Sequence, residues 1–247
     1  MGRGSWSRFR DIWGRVLMKR STMIAQACAA ALVLLGGAAA AEDVSAMARG
    51  ARLYDKWWAE NKAPEPTGNH PLYANEAGKY DGATSWRCKE CHGWDLKGKD
   101  GAYAKGKHFT GIIGVTGAAG ADPATIASAM RGAHAYTEAM LSDADLNDIA
   151  LFVTGGQIDY APLLADGKPN GDGAQGEIYF NTVCAGCHGK DGKKISTAPP
   201  LGSVAGNAVE MLHKVMNGQP GEAMPALRAL DHQVAADIAV HLQTLPQ

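Results

Sequence analysis

The chain has 247 residues, 46% of them apolar and 20% charged, a balance that can bury a core and that excludes a disordered class. Its length leaves room for one large domain or two small ones. Six basic residues (Arg3, Arg8, Arg10, Arg15, Lys19 and Arg20) precede residue 42, so residues 42–247 carry 18 Lys+Arg against 24 Asp+Glu. This net charge of −6 argues against nucleic acid as a partner.

In chain order, that basic stretch leads into an apolar run from Met23 to Leu35 and then into GGAAAAED. This is the pattern of a secretory signal over residues 1–41, cut after Ala41. Met18 offers a second start, because the segment from it is already a complete signal. A retained membrane anchor is the alternative, since residues 21–41 approach the length of a bilayer span. No later apolar run does, so the expectation is a periplasmic protein, soluble after cleavage. Cys28 leaves with the signal. Cys88, Cys91, Cys184 and Cys187 remain as two CxxC pairs in a compartment where free thiols oxidise.

The body opens on GARLY (residues 50–54), with helical apolar spacing, and reaches WRCKECHGW at residues 86–94. A helix over ASAMRG (127–132) follows, closing on a glycine suited to a left-handed C-cap. A short loop then delivers Met140. In the next helix Ser142 can cap, Asp143 and Asp145 sit in the first turn, and Leu146, Ile149, Ala150 and Val153 form an apolar stripe. Residues 161–173, APLLADGKPNGDG, read as a linker. The plan then recurs: GEIYF (176–180), VCAGCHG (183–189), HKVMNG (213–218), Met224, and a helix with Val234, Ile238, Ala239 and Leu242 inward. Such repetition marks a duplicated domain. The copies span residues 42–160 and 174–247, each small for an independent hydrophobic core.

Two thiols and an imidazole within five residues could serve a zinc ion, a redox dithiol or a haem. Zinc wants four tetrahedral ligands, usually from separated pairs, and His92 sits awkwardly beside Cys91 for sharing one ion. A thioredoxin-like dithiol expects a βαβ setting, and neither motif has strand-like flanks. Haem accounts for all three groups, with thioethers from the cysteines and the adjacent imidazole on the iron. The macrocycle would also complete a small core.

With CKECH and CAGCH, the GARLY and GEIYF helices, and a methionine loop before the final helix, in order and twice, residues 42–247 resemble the class I c-type cytochromes, specifically diheme members. The resemblance implies an all-α fold of two tandem three-helix haem domains, the first with a long loop insertion. It implies two covalently bound haem c groups, held by Cys88, Cys91 and His92 and by Cys184, Cys187 and His188, with His/Met axial ligation. First and last helices cross closely in that family, which suits Gly50 and Gly176. Met224 is followed by proline, as in the family's ligand loop, whereas Met216 sits in the preceding helical pattern and reads as core. For the first haem the internal alignment favours Met140. It lacks the proline, and Met130, His134, His108 and His70 stand as alternatives. A carbonyl near a proline orients the proximal imidazole in this family. Pro199 and Pro200 fit that role for His188, and KHFTGIIG supplies no proline for His92.

From Gly176 to Cys184 is eight residues, but from Gly50 to Cys88 is 38. The extra segment, with Trp57, Trp58, Pro64, Pro66, His70, Pro71, Tyr73 and Tyr80, reads as a loop shielding the haem edge or as a docking lobe. Arg87, Lys89, Lys97, Lys99, Lys105 and Lys107 surround the first motif, either as a solvated face or as a collar steering an acidic redox protein. The expected function is a periplasmic relay of single electrons between redox partners, with no catalytic residue. The alternatives are an electron-accepting subunit of a periplasmic dehydrogenase, or a diheme peroxidase or thiosulfate-type oxidase with an unusual sixth position.

Overall fold

Helices make up nearly all the regular structure of the protein, known from a computed structural model that describes residues 43–73 and 80–247. The candidate signal segment, with Cys28 and the candidate anchor, lies outside the described residues, as do residues 74–79. Among the described residues no helix is long and apolar enough to cross a membrane.

Helix α1 (residues 43–60) places Ala51, Tyr54, Trp57 and Trp58 at helical spacing, and all are buried. The two tryptophans therefore extend the opening helix and precede the inserted loop. After the short α2 (Cys88–His92), α3 (Pro123–Arg131) starts on Asp122, which accepts from Ala124 N at 3.0 Å, with proline in the first turn. Helix α4 (Asp143–Gly155) starts on a reciprocal capping box between Ser142 and Asp145. The C-cap glycines depart from expectation: Gly132 has φ −80°, and Gly218 has φ 90° with an extended ψ. Neither adopts the left-handed helical cap.

In the second half, α5 (Gly173–Tyr179) passes through a π-turn (Phe180–Cys184) straight into α6 (Ala185–His188). Helices α7 (Leu201–Val204), α8 (Ala208–Asn217) and α9 (Gln233–Leu242) follow. The stretch read as a linker is ordered. A 3-10 turn (Ala161–Leu163) leads into strands β1 (Leu164–Ala165) and β2 (Lys168–Pro169), paired antiparallel with Leu164 opposite Pro169.

Two helix crossings repeat. A Cβ on Gly50 would lie 2.0 Å from the Asp148 carbonyl oxygen of α4, and one on Gly176 would lie 1.9 Å from the Asp237 carbonyl oxygen of α9. Only glycine permits backbones this close. One apolar cluster gathers around α1, α3 and α4, and a second around α5, α8 and α9, which Tyr160 and Leu163 join.

Residues Val44–Gln247 pack as one compact unit, joined by α1 lying along α8. His213 Nε2 meets the Ala51 carbonyl at 3.1 Å, Arg52 donates to the Asn217 carbonyl at 2.9 Å, and Lys214 reaches Asp55 at 2.8 Å. Burial pushes His213 down to about 4, and Lys214 and Arg87 hold Asp55 down at about 2 against the opposing effect of its burial.

Candidate haem sites

The five residues of α2 are too few to be stable alone, and α1 holds both of their ends. Tyr54 Oη donates to the Gly93 carbonyl at 2.7 Å, just after His92. Trp57 Nε1 and Tyr136 Oη donate to the Trp86 carbonyl at 3.2 and 2.8 Å, just before the motif. Arg87 donates to the Asp55 carbonyl at 2.7 Å and pairs with its carboxylate.

Beside α2 opens a cavity whose surface is almost wholly apolar. Cys88, Cys91 and His92 line it together with mostly apolar side chains of α3 and α4. Burial pushes the Cys88 thiol up to about 11 and the Cys91 thiol to about 12, the reverse of a redox dithiol, which needs accessible thiolate. Among the described residues all four cysteines are unpaired, and no three His, Cys, Asp or Glu side chains are grouped to hold a metal ion directly. The cavity's largely apolar surface carries the two thiols and the His92 imidazole, the donors that would hold a covalently attached haem.

His92 is the imidazole of this set. Its Nδ1 donates to the Ile113 carbonyl at 2.8 Å, so Nε2 keeps its lone pair. Ile113 lies in the HFTGIIG stretch, so a non-proline carbonyl fills the orienting role. Backbone bonds pin that carbonyl: Lys99 N to Ile112 O and Val115 N to Leu96 O, both 2.8 Å.

The candidate distal residues separate clearly. His134, His70 and Met130 line the cavity. Met140, expected as the sixth ligand, does not line it; it packs partly buried on the first apolar cluster, its carbonyl accepting from Asn61 Nδ2 at 2.8 Å. This loop is drawn toward the end of α1, a contact across 79 residues that internal alignment could not anticipate. His108 also lies away from the cavity, stacked between Tyr80 and Tyr103 at 4.3 and 4.5 Å with Nδ1 on Glu90 at 2.8 Å. His70 lines the cavity with both nitrogens engaged: Nδ1 accepts from Leu72 N at 3.1 Å, and Nε2 therefore donates to the His134 carbonyl at 3.0 Å.

The basic collar shrinks in three dimensions. Arg87 turns onto Asp55, and Lys89 is 5% exposed, bound to Glu90 and lying over Trp94. Lys97, Lys105 and Lys107 remain exposed.

At the second motif Cys184, Cys187 and His188 sit on the continuous π-turn and α6, and burial lowers the His188 imidazole. The Pro200 carbonyl accepts from Ser203, N at 3.0 Å and Oγ at 2.6 Å, and no described hydrogen bond links it to His188. Met224 is half-buried on the loop between α8 and α9, its carbonyl packed against Gly218. Met216, read as core, is fully buried.

A CxxCH helix next to a closely crossed helix pair defines a c-type cytochrome domain, an electron-transfer haem module. Residues 171–242, which include Cys184, Cys187, His188 and Met224, match the family model for cytochrome c oxidase, cbb3-type, subunit III, in agreement with that class. No curated protein and no solved structure matches the chain.

Proposed function

We propose that the protein is an exported diheme c-type cytochrome that relays single electrons between redox proteins through two haems c. One is held by Cys88, Cys91 and His92, the other by Cys184, Cys187 and His188 with Met224 as its sixth ligand. The carrying observation is that one plan occurs twice: a CxxCH motif followed by a positive-φ glycine, Gly93 or Gly189, beside helices that cross on Gly50 or Gly176.

The bound haem supplies a one-electron iron couple; the chain supplies fixed donors and a shielded, apolar setting. The α1–α8 interface supports a relay because the two motifs belong to one compact unit. In it, buried His213 and Asp55 tie the opening helix of the first copy to a helix of the second.

The test is a haem count and a redox titration of the exported protein. Two haems c per chain, two one-electron waves and an N-terminus at residue 42 are expected. One haem per chain, or turnover of peroxide or thiosulfate by the isolated protein, contradicts the relay.

A further inference from the structure

We propose that His134 is the sixth ligand of the first haem, and that His70, carried by the insertion, is the residue that positions it. This inference rests on the diheme reading above and specifies one of its two sites.

His92 and His134 line the same cavity with their ring centroids 6.2 Å apart and their planes at 46°. Two imidazoles bound on opposite sides of one metal need two bonds of about 2 Å each, plus about 1 Å from each nitrogen to its ring centre, or about 6 Å in all. The rings thus already stand at the separation of a shared iron. Both present the same nitrogen. His134 Nδ1 donates to the Ala129 carbonyl at 3.1 Å, as His92 Nδ1 does to Ile113, leaving Nε2 of each to bind.

The competing donors are otherwise engaged. His70 has no free ring nitrogen, His108 is stacked in a separate cluster, and Met140 is off the cavity. Met130 lines the cavity, but as an almost fully buried member of the α3 core, in the place that Met216 fills in the second cluster.

The insertion builds the support for this ligand. The Ser85 hydroxyl accepts from His70 N at 2.8 Å, and the His70 ring stands edge-on to Trp86 at 4.5 Å. From there Nε2 holds the His134 carbonyl, fixing the loop that carries the ligand. The second copy lacks both parts. Counting from the aligned glycines Gly132 and Gly218, Pro220 occupies the position of His134, and no insertion precedes Cys184.

An imidazole in place of a thioether lowers the reduction potential. The first site is therefore the low-potential end, and an electron from an external single-electron donor protein runs from it to the second site and on to an acceptor, with no bond made or broken.

The test uses the exported protein with its haem content counted. EPR of the oxidised form should show one bis-imidazole low-spin signal and one imidazole/thioether signal. H134A should lose the first signal, gain a high-spin one, and regain low spin with added imidazole. H134M should raise only the lower of the two midpoint potentials, and M140L should leave both signals unchanged. H70A should broaden the bis-imidazole signal and shift its potential at unchanged haem content, a readout that loss of packing alone would not move. Two haems with imidazole/thioether signals at both sites, or loss of the first signal in M130L with H134A unaffected, overturns the ligand assignment alone. Fewer than two haems per chain overturns the diheme reading and the assignment with it.

Discussion

The two CxxCH helices solve one positioning problem in different ways. In the second, α5 runs through a π-turn into α6, so the motif is continuous with a helix already fixed by its crossing at Gly176. In the first, residues 61–87 intervene, and α2 is held from outside by Tyr54, Asp55 and Trp57 of α1. Phe180, aligned with Tyr54, has no hydroxyl to donate. The first motif, separated in sequence from α1, is held by polar clamps, and the intervening loop carries His70 to the His134 carbonyl.

The sharpest way to break this comparison is at Asp55, which is 1% exposed and paired with both Arg87 and Lys214. D55A removes the buried carboxylate that Arg87 and Lys214 share and should destabilise the protein by about 3–5 kcal/mol in denaturant melts. On the diheme proposal, the damage should fall on the absorbance of the haem at Cys88, Cys91 and His92 before that of the haem at Cys184, Cys187 and His188.

Acid probes the interface between α1 and α8. His213 is buried and neutral, its folded-state value of about 4 lying below the ordinary 6.5. The unfolded chain takes up this proton first as pH falls, so the contribution is complete above about pH 6.5, declines from there toward pH 4, and is then exhausted. The lost stability should reach about 3 kcal/mol, and H213Q should flatten the stability profile over that window. Asp55, lowered to about 2, contributes stability above its ordinary 3.8 and loses it at lower pH, between 3.8 and about 2.

The glycine crossings test whether the copies are equivalent. G50A and G176A should each cost about 1–3 kcal/mol by overpacking two backbones, read from melts of the single variants. A clear inequality would show that only one crossing is structural. The smallest effect belongs to Y54F, which removes the donor to the Gly93 carbonyl and should destabilise by about 1 kcal/mol, with the second haem's spectrum unchanged.

Much of this site was legible from local pattern. The paired motifs, the capping residue Ser142, Met216 as core and the two crossing glycines all depend on neighbours within a few turns of chain or on comparing one copy with the other. Trp57 and Trp58 read in sequence as part of the insertion because nothing in the composition marks where α1 ends. Arg87 and Lys89 looked like surface charge because their partners, Asp55 and the Trp94 ring, become neighbours only on folding.

The sequence by itself determined the chemistry available: which thiols and imidazoles stand ready to hold a haem. The tertiary structure alone decided which imidazole stands beside His92, which carbonyl orients it, and how α1 rests on α8. Those outcomes depend on contacts between residues 21 to 165 positions apart, such as His92 with Ile113 and Arg52 with Asn217. No local periodicity records them, because they are fixed by where α1, α8 and the inserted loop come to lie when the two apolar clusters close.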